Sequence, residues 1–279
     1  MPLATIAELL VRAEQLQHIS DTPRLDVEIL LCRVLDCQRS YLFTWPEHRV
    51  DGDQAARFES LLARRLAGEP VAYITGEQPF WTLVLKVSPA TLIPRPETEL
   101  LVETALARLP ESGVRCLDLG TGTGAIALAL GFERPRWSLV AVDSEPAAVG
   151  LARGNARRLG IANVDIRGSD WFAQVEGVFD VIISNPPYVA EGDVHLRQGD
   201  LRFEPVSALV AEDGGLGDLE HIIGVGREYL SAGGLLMLEH GADQGDALQR
   251  RFHARGYTGV ETLKDLAGLD RVTLGYRPG

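Results

Sequence analysis

Four consecutive residues, Asn185-Pro186-Pro187-Tyr188, end the β-branched run Val181-Ile182-Ile183. Such a run reads as a strand covered on both faces. Two prolines then remove two backbone donors and fix φ twice, so the strand stops and a rigid corner begins. The corner offers one amide side chain, a carbonyl at Pro186 and an aromatic ring. An NH2-bearing planar group suits that set. The Asn185 side-chain carbonyl and the Pro186 backbone carbonyl can accept its two N–H bonds, and Tyr188 can pack over its plane. Taken singly, Asn185 would serve as a strand-end cap and Tyr188 as a core aromatic.

A second cluster lies upstream in "LDLGTGTGA", where Asp118, Gly120, Thr121, Gly122, Thr123 and Gly124 join a strand to a helix. Glycines there let backbone approach a ligand closely, and the helix start offers unpaired N–H groups. A further strand, "VAVDS", ends with Asp143. An acid in that place can take both hydroxyls of a ribose, in NAD and in S-adenosylmethionine alike. Gly120-x-Gly122-x-x-Ala125 also satisfies the dinucleotide fingerprint. Asp118 tilts the choice, since it could pair with a cationic ligand and would repel a pyrophosphate.

The elements that must position these residues follow from pattern. Ile6, Leu9, Leu10 and Ala13 recur at helical spacing up to about Leu16. Asp21 or Thr22, with Pro23 behind it, starts a second helix, and a third is expected over about Asp53 to Leu66, stopped by Gly68. "VAYIT" and "WTLVLKVS" then read as β runs separated by "GEQPF", a hairpin or short ribbon. From about Pro94 strands alternate with helices: "VRCLDL", "SLVAVDS", "VDIRGS", "DVIIS" and "GGLLMLEHG", then two closing segments able to pair antiparallel at an edge. The class is α/β, a doubly wound and mostly parallel seven-stranded sheet. The expected division is 1–70 helical, 71–93 hairpin linker and 94–279 ligand-binding domain.

Composition bounds the partners. The 279 residues are 46% hydrophobic and 24% charged, with a formal net charge of −12. That balance is globular and argues against broad attraction to nucleic acid. No apolar run approaches the ~18 residues of a membrane span, and the start lacks a signal-peptide core. Cys32, Cys37 and Cys116 show no Cys-x-x-Cys pair and read as buried, reduced cysteines of a cytoplasmic protein. The six histidines are scattered, and no metal site is expected.

The chain resembles class I S-adenosylmethionine-dependent methyltransferases, and among them the release-factor glutamine methyltransferases, the PrmC (HemK) family. The segments that carry the resemblance are the N-terminal helices, "LIPRPETELLVE", "DLGTGTGAIALAL", "VDSEPAAVGLARGNARRLG", "SDWF", "ISNPPYVAEGD" and "LRFEPVSALVAEDGGL". Asn-Pro-Pro-Tyr alone is less specific, because methyltransferases acting on exocyclic amines of DNA and RNA bases share it. The resemblance implies S-adenosylmethionine as methyl donor, S-adenosylhomocysteine as product and the Gly-Gly-Gln glutamine of peptide-chain release factors as target. It further implies that Asp170-Trp171 lines the adenine and that the segment holding Glu97 and Glu99 borders and helps close the site. Asn185, Pro186, Pro187 and Tyr188 would then hold the substrate amide. The N-terminal helices would grip the partner protein, and the enzyme would act as a monomer. Rival readings are a nucleic-acid amine methyltransferase, which calls for a basic groove, and a non-catalytic module that keeps only the cofactor site.

Overall fold

The computed structural model describes residues 3–279, which form two compact units: 3–77 with Val194–Phe203, and Gln78–Asp193 with Glu204–Gly279. The first unit is helical. Thr5 and Glu8 form a reciprocal capping box at α1 (Ile6–Leu10), which continues as a 3-10 turn to Leu16. Thr22 precedes α2 (Pro23–Leu35), whose Pro23 occupies a position that needs no N–H. Then come α3 (Arg39–Thr44), α4 (Gly52–Leu66), capped by Asp51, and α5 (Val71–Thr75). Ile6, Leu30, Leu31, Leu42, Phe58 and Leu62 fill their common core. Arg65 is buried among them, donating to Asp26 at 2.7 Å and to Asp200 at 2.8 Å. The Asp200 bond holds the distant Val194–Phe203 stretch within this unit.

The expectation of a strand at "VAYIT" is corrected, for α5 is one helical turn. Pro70 sets its entry and Gly76, at φ 72°, ends it with a left-handed residue. Burial of Ala72, Tyr73 and Ile74 outweighs the local β preference. The hairpin is instead made of β1 (Glu77–Phe80) and β2 (Leu83–Lys86), so "EQPF" is itself a strand.

In the second unit α6 (Glu99–Arg108) leads to β3 (Arg115–Leu119), α7 (Ala125–Glu133), β4 (Ser138–Asp143), α8 (Pro146–Leu159), β5 (Val164–Gly168) and β6 (Phe179–Ser184). A short parallel ribbon follows, β7 (Val189–Ala190) with β8 (Val210–Ala211). The chain closes with α9 (Glu212–Gly215), α10 (Gly217–Tyr229), β9 (Leu230–Glu239), α11 (Gly245–Ala254), β10 (Thr258–Lys264) and β11 (Asp270–Tyr276). The seven sheet strands run in the order β10-β11-β9-β6-β3-β4-β5, and β11 is antiparallel to both its neighbours. This is the expected doubly wound, mostly parallel sheet. Val181 and Ile183 pack on one face and Ile182 on the other, which is why β6 reads as an unbroken apolar run.

Strand order reverses between β3 and β6, which pair in register as Leu119↔Ser184. Ligands bind beyond the carboxyl ends of strands at such a switch. The glycine loop and the Asn-Pro-Pro-Tyr corner begin one residue later on these two strands. Ser184 Oγ ties them by donating to the Leu119 carbonyl at 2.8 Å.

Candidate active site

Asp118 is the residue from which the glycine loop is built. It is fully buried, and its Oδ2 accepts Thr121 Oγ1 at 2.6 Å and the Ala127 N–H at 3.2 Å. Burial pushes its carboxyl up to about 7, against the pull of those two hydrogen bonds. The sequence offers Asp118 as a partner for a cationic ligand; here both donors hold its Oδ2 against the loop and the start of α7. Gly124, at φ 86°, opens that helix, and a Cβ there would fall 2.8 Å from Leu128 Cδ1.

Beyond the loop lies a cavity of about 270 Å³. Gly120, Thr121, Gly122, Thr123, Asp143, Asp170, Trp171, Asn185 and Pro187 all line it. Gly124, Pro186 and Tyr188 do not. Asp143 Oδ2 accepts the Gly122 N–H at 2.8 Å and Oδ1 the Glu145 N–H at 2.9 Å. Each oxygen keeps one lone-pair direction for a ligand. Burial raises the Asp143 carboxyl, while the two amides lower it. Trp171 stands at φ 44°, an unusual conformation for a bulky residue. Its ring lies over Gly120, where an added Cβ would meet it at 3.6 Å, and its side chain donates to Asp218, which also lines the cavity. Trp171 therefore serves the cavity wall and the core beneath it.

At the corner, Asn185 Nδ2 donates to Thr98 Oγ1 at 3.1 Å. The donor end of the amide is thereby held by the protein, and its carbonyl end has no partner among the described residues. Pro186 is buried, and no donor among the described residues reaches its carbonyl. The Tyr188 hydroxyl turns inward to Glu239 Oε1 at 3.3 Å, which anchors the ring at the corner. A buried phenol needs a polar partner, and Glu239 supplies it. The Tyr188 carbonyl is held by Gln244 Nε2 at 3.0 Å.

The "IPRPETE" segment reaches this site through Thr98, which lines the cavity. Of the two acids singled out there, Glu99 accepts the Trp81 N–H at 2.7 Å, a bond to the hairpin, and Glu97 is exposed. Arg95 pairs with the buried Glu204, which also accepts the Ile93 N–H at 3.0 Å. That carboxylate fastens the segment to the loop after the corner. Sequence reasoning missed Thr98, Asp218 and Glu239. The only signal for Thr98 was its place between the two acids that drew attention. Among the described residues no His/Cys/Asp/Glu group could hold a metal, and no helix is long and apolar enough to cross a membrane.

Residues 8–76 match the family described as PrmC N-terminal domain, and residues 96–216 match the methyltransferase small domain. The chain is 55% identical to a release factor glutamine methyltransferase of Aliivibrio fischeri, over 92% of this chain and 91% of that one. It is 53% identical to the protein of the same name in Escherichia coli, over 92% of this chain and 93% of that one. A solved methyltransferase of Pyrococcus furiosus matches with a TM-score of 0.56 at 20% identity, over 79% of this chain and 100% of that one. That likeness carries the class I methyltransferase fold.

Proposed function

This chain belongs to the release factor glutamine methyltransferases, and on that premise we propose that it transfers a methyl group from S-adenosyl-L-methionine to the side-chain nitrogen, N5, of the Gly-Gly-Gln glutamine of peptide-chain release factors. The observation that carries the reading is the Asn185 amide at the cavity, held donor-inward by Thr98, with no partner for its carbonyl among the described residues.

The cavity residues fit the donor. Asp143 keeps lone pairs for two ribose hydroxyls, Trp171 offers a ring face for adenine beside Asp170, and Gly120 to Thr123 give backbone that a ligand can approach. When bound, S-adenosylmethionine supplies a sulfonium methyl and leaves as S-adenosylhomocysteine. A glutamine nitrogen is a poor nucleophile, because its lone pair is delocalised into the carbonyl. Asn185 Oδ1 accepts one of its N–H bonds and the Pro186 carbonyl the other. Two acceptors aim the lone pair, resist conjugation and favour the positive charge that develops on nitrogen. With the donor bound, Asn185 Oδ1 and the Pro186 carbonyl would hold that nitrogen in line with the sulfonium methyl, and the departing sulfur would keep the bonding electrons. The nitrogen then loses its proton to solvent, so no strong base is called for. Most of the acceleration comes from positioning, which can be worth effective molarities of about 10⁵ M or more. Tyr188 contributes by holding the corner through Glu239. The N-terminal helical unit recognises the release factor away from the reacting amide, in the cytoplasm.

Mass spectrometry of release factors from cells with and without this protein tests the assignment. One methyl group on the Gly-Gly-Gln glutamine, present only with the protein, is the expected result. An unmodified glutamine in both would overturn it.

A further inference from the structure

Glu239 ends β9 at 1% exposure, and its Oε2 has no hydrogen-bond partner among the described residues. A buried carboxyl left half-satisfied is costly, and nothing in the sheet itself calls for it. Its surroundings are the two ends of the catalytic corner. Tyr188 Oη donates to Oε1 at 3.3 Å and Thr98 Oγ1 accepts Asn185 Nδ2 at 3.1 Å, while the Thr98 hydroxyl lies beside the carboxylate and, as a donor toward it, pulls its pKa down. Resting on the reading of Asn185 above, we propose that Glu239 is a positioning residue for methyl transfer, fixing the orientation of the Asn185 amide through Thr98 and the course of the corner through Tyr188.

The polarity of the chain decides the orientation. An ionised carboxylate only accepts, and a threonine hydroxyl has one proton to give. With that proton committed to Glu239, Thr98 presents only lone pairs to Asn185. The amide must then turn its NH2 inward and its carbonyl toward the substrate. The reverse orientation would set two acceptors against each other inside and aim an NH2 at the substrate's own NH2. A protonated Glu239 can donate, so Thr98 no longer commits its proton and the choice between the two amide orientations weakens. Burial pushes the Glu239 carboxyl up to about 7; hydrogen bonds from Thr98 and Tyr188 and the Arg271 cation pull it down, and the Glu97 charge raises it further. Titration of this group therefore falls near neutral pH.

Glu239→Gln and Thr98→Val, singly and combined, test this with intact release factor as substrate, between about pH 6 and pH 8.5. Glutamine keeps the shape but can donate as well as accept, so it resembles protonated Glu239 at every pH. Each single variant is expected to lower kcat by roughly 10- to 100-fold near pH 8. The double variant should be no slower than the worse single one, because both break one chain. Calorimetric affinity for S-adenosylhomocysteine should stay within about threefold of wild type, and Glu239→Gln should lose the rise of kcat between about pH 6 and pH 8. Wild-type kcat in either single variant, multiplicative losses in the double, or losses that merely follow melting temperature and cofactor affinity would overturn the proposal. Failure of the wild-type protein to label release factor would instead overturn the substrate reading on which it rests.

Discussion

Asp143 Oδ2 accepts the Gly122 backbone N–H at 2.8 Å, so the carboxylate proposed to read the ribose also braces the glycine loop. The two tasks share one carboxylate. Asp143→Ala should weaken S-adenosylmethionine binding by about 1–3 kcal/mol, through lost charge-assisted hydrogen bonds and a loosened loop. Asp143→Asn keeps one acceptor and should fall between. Calorimetry checks both and should detect no binding of NAD by wild type. An Ala variant with unchanged affinity would remove Asp143 from the donor site.

Asn185 separates chemistry from binding. Asn185→Ala should slow methyl transfer by about 10² or more, by analogy with removing one preorganised hydrogen-bonding group from an active site. Affinity for S-adenosylhomocysteine should fall far less. Single-turnover rates at saturating donor give the comparison, and a wild-type rate would show that the amide does not orient the substrate.

The architecture was largely legible in the chain. β6 announces itself because both its faces are buried, and a periodicity of apolar residues needs no partner to be seen. The glycine loop and the proline corner are likewise local, each written in consecutive residues. What escaped was long-range. Glu239 closes the apolar stretch "LLMLE" with nothing beside it to show that Thr98 and Tyr188 converge there. Asp200 gives no local sign of its bond to Arg65, so the Val194–Phe203 stretch could not be assigned to the helical unit. The anchoring of Tyr188 is hidden for the same reason, since the acceptor of its hydroxyl lies 51 residues away.

Asp118 should leave a signature in stability. Its folded carboxyl is raised from 3.8 to about 7, so the native state keeps a proton that the unfolded chain releases first. The contribution is fully present below about pH 4 and is lost as pH rises to about 7, with a size on the order of 4 kcal/mol. Asp118→Asn keeps an acceptor for Thr121 and Ala127 but cannot titrate. Wild-type stability relative to this variant should therefore decline between about pH 4 and pH 7 in denaturant titrations. A difference that does not change with pH would place the proton elsewhere.

The helical unit is expected to act through binding energy. A short free Gly-Gly-Gln peptide should be methylated far less efficiently than intact release factor, because it lacks the distant surface that positions the amide. Comparison of kcat/KM for the two substrates checks this. Equal values would leave the corner's chemistry intact and remove the recognition role of the N-terminal helices.

The central claim is that the corner grips a glutamine amide of a release factor. Purified release factor, incubated with this protein and methyl-labelled S-adenosylmethionine, should gain one methyl on its Gly-Gly-Gln glutamine, and a factor carrying glutamate there should gain none, since the nucleophilic nitrogen is gone. Label on DNA or ribosomal RNA with none on release factor would contradict the claim, as would equal labelling of the glutamate variant.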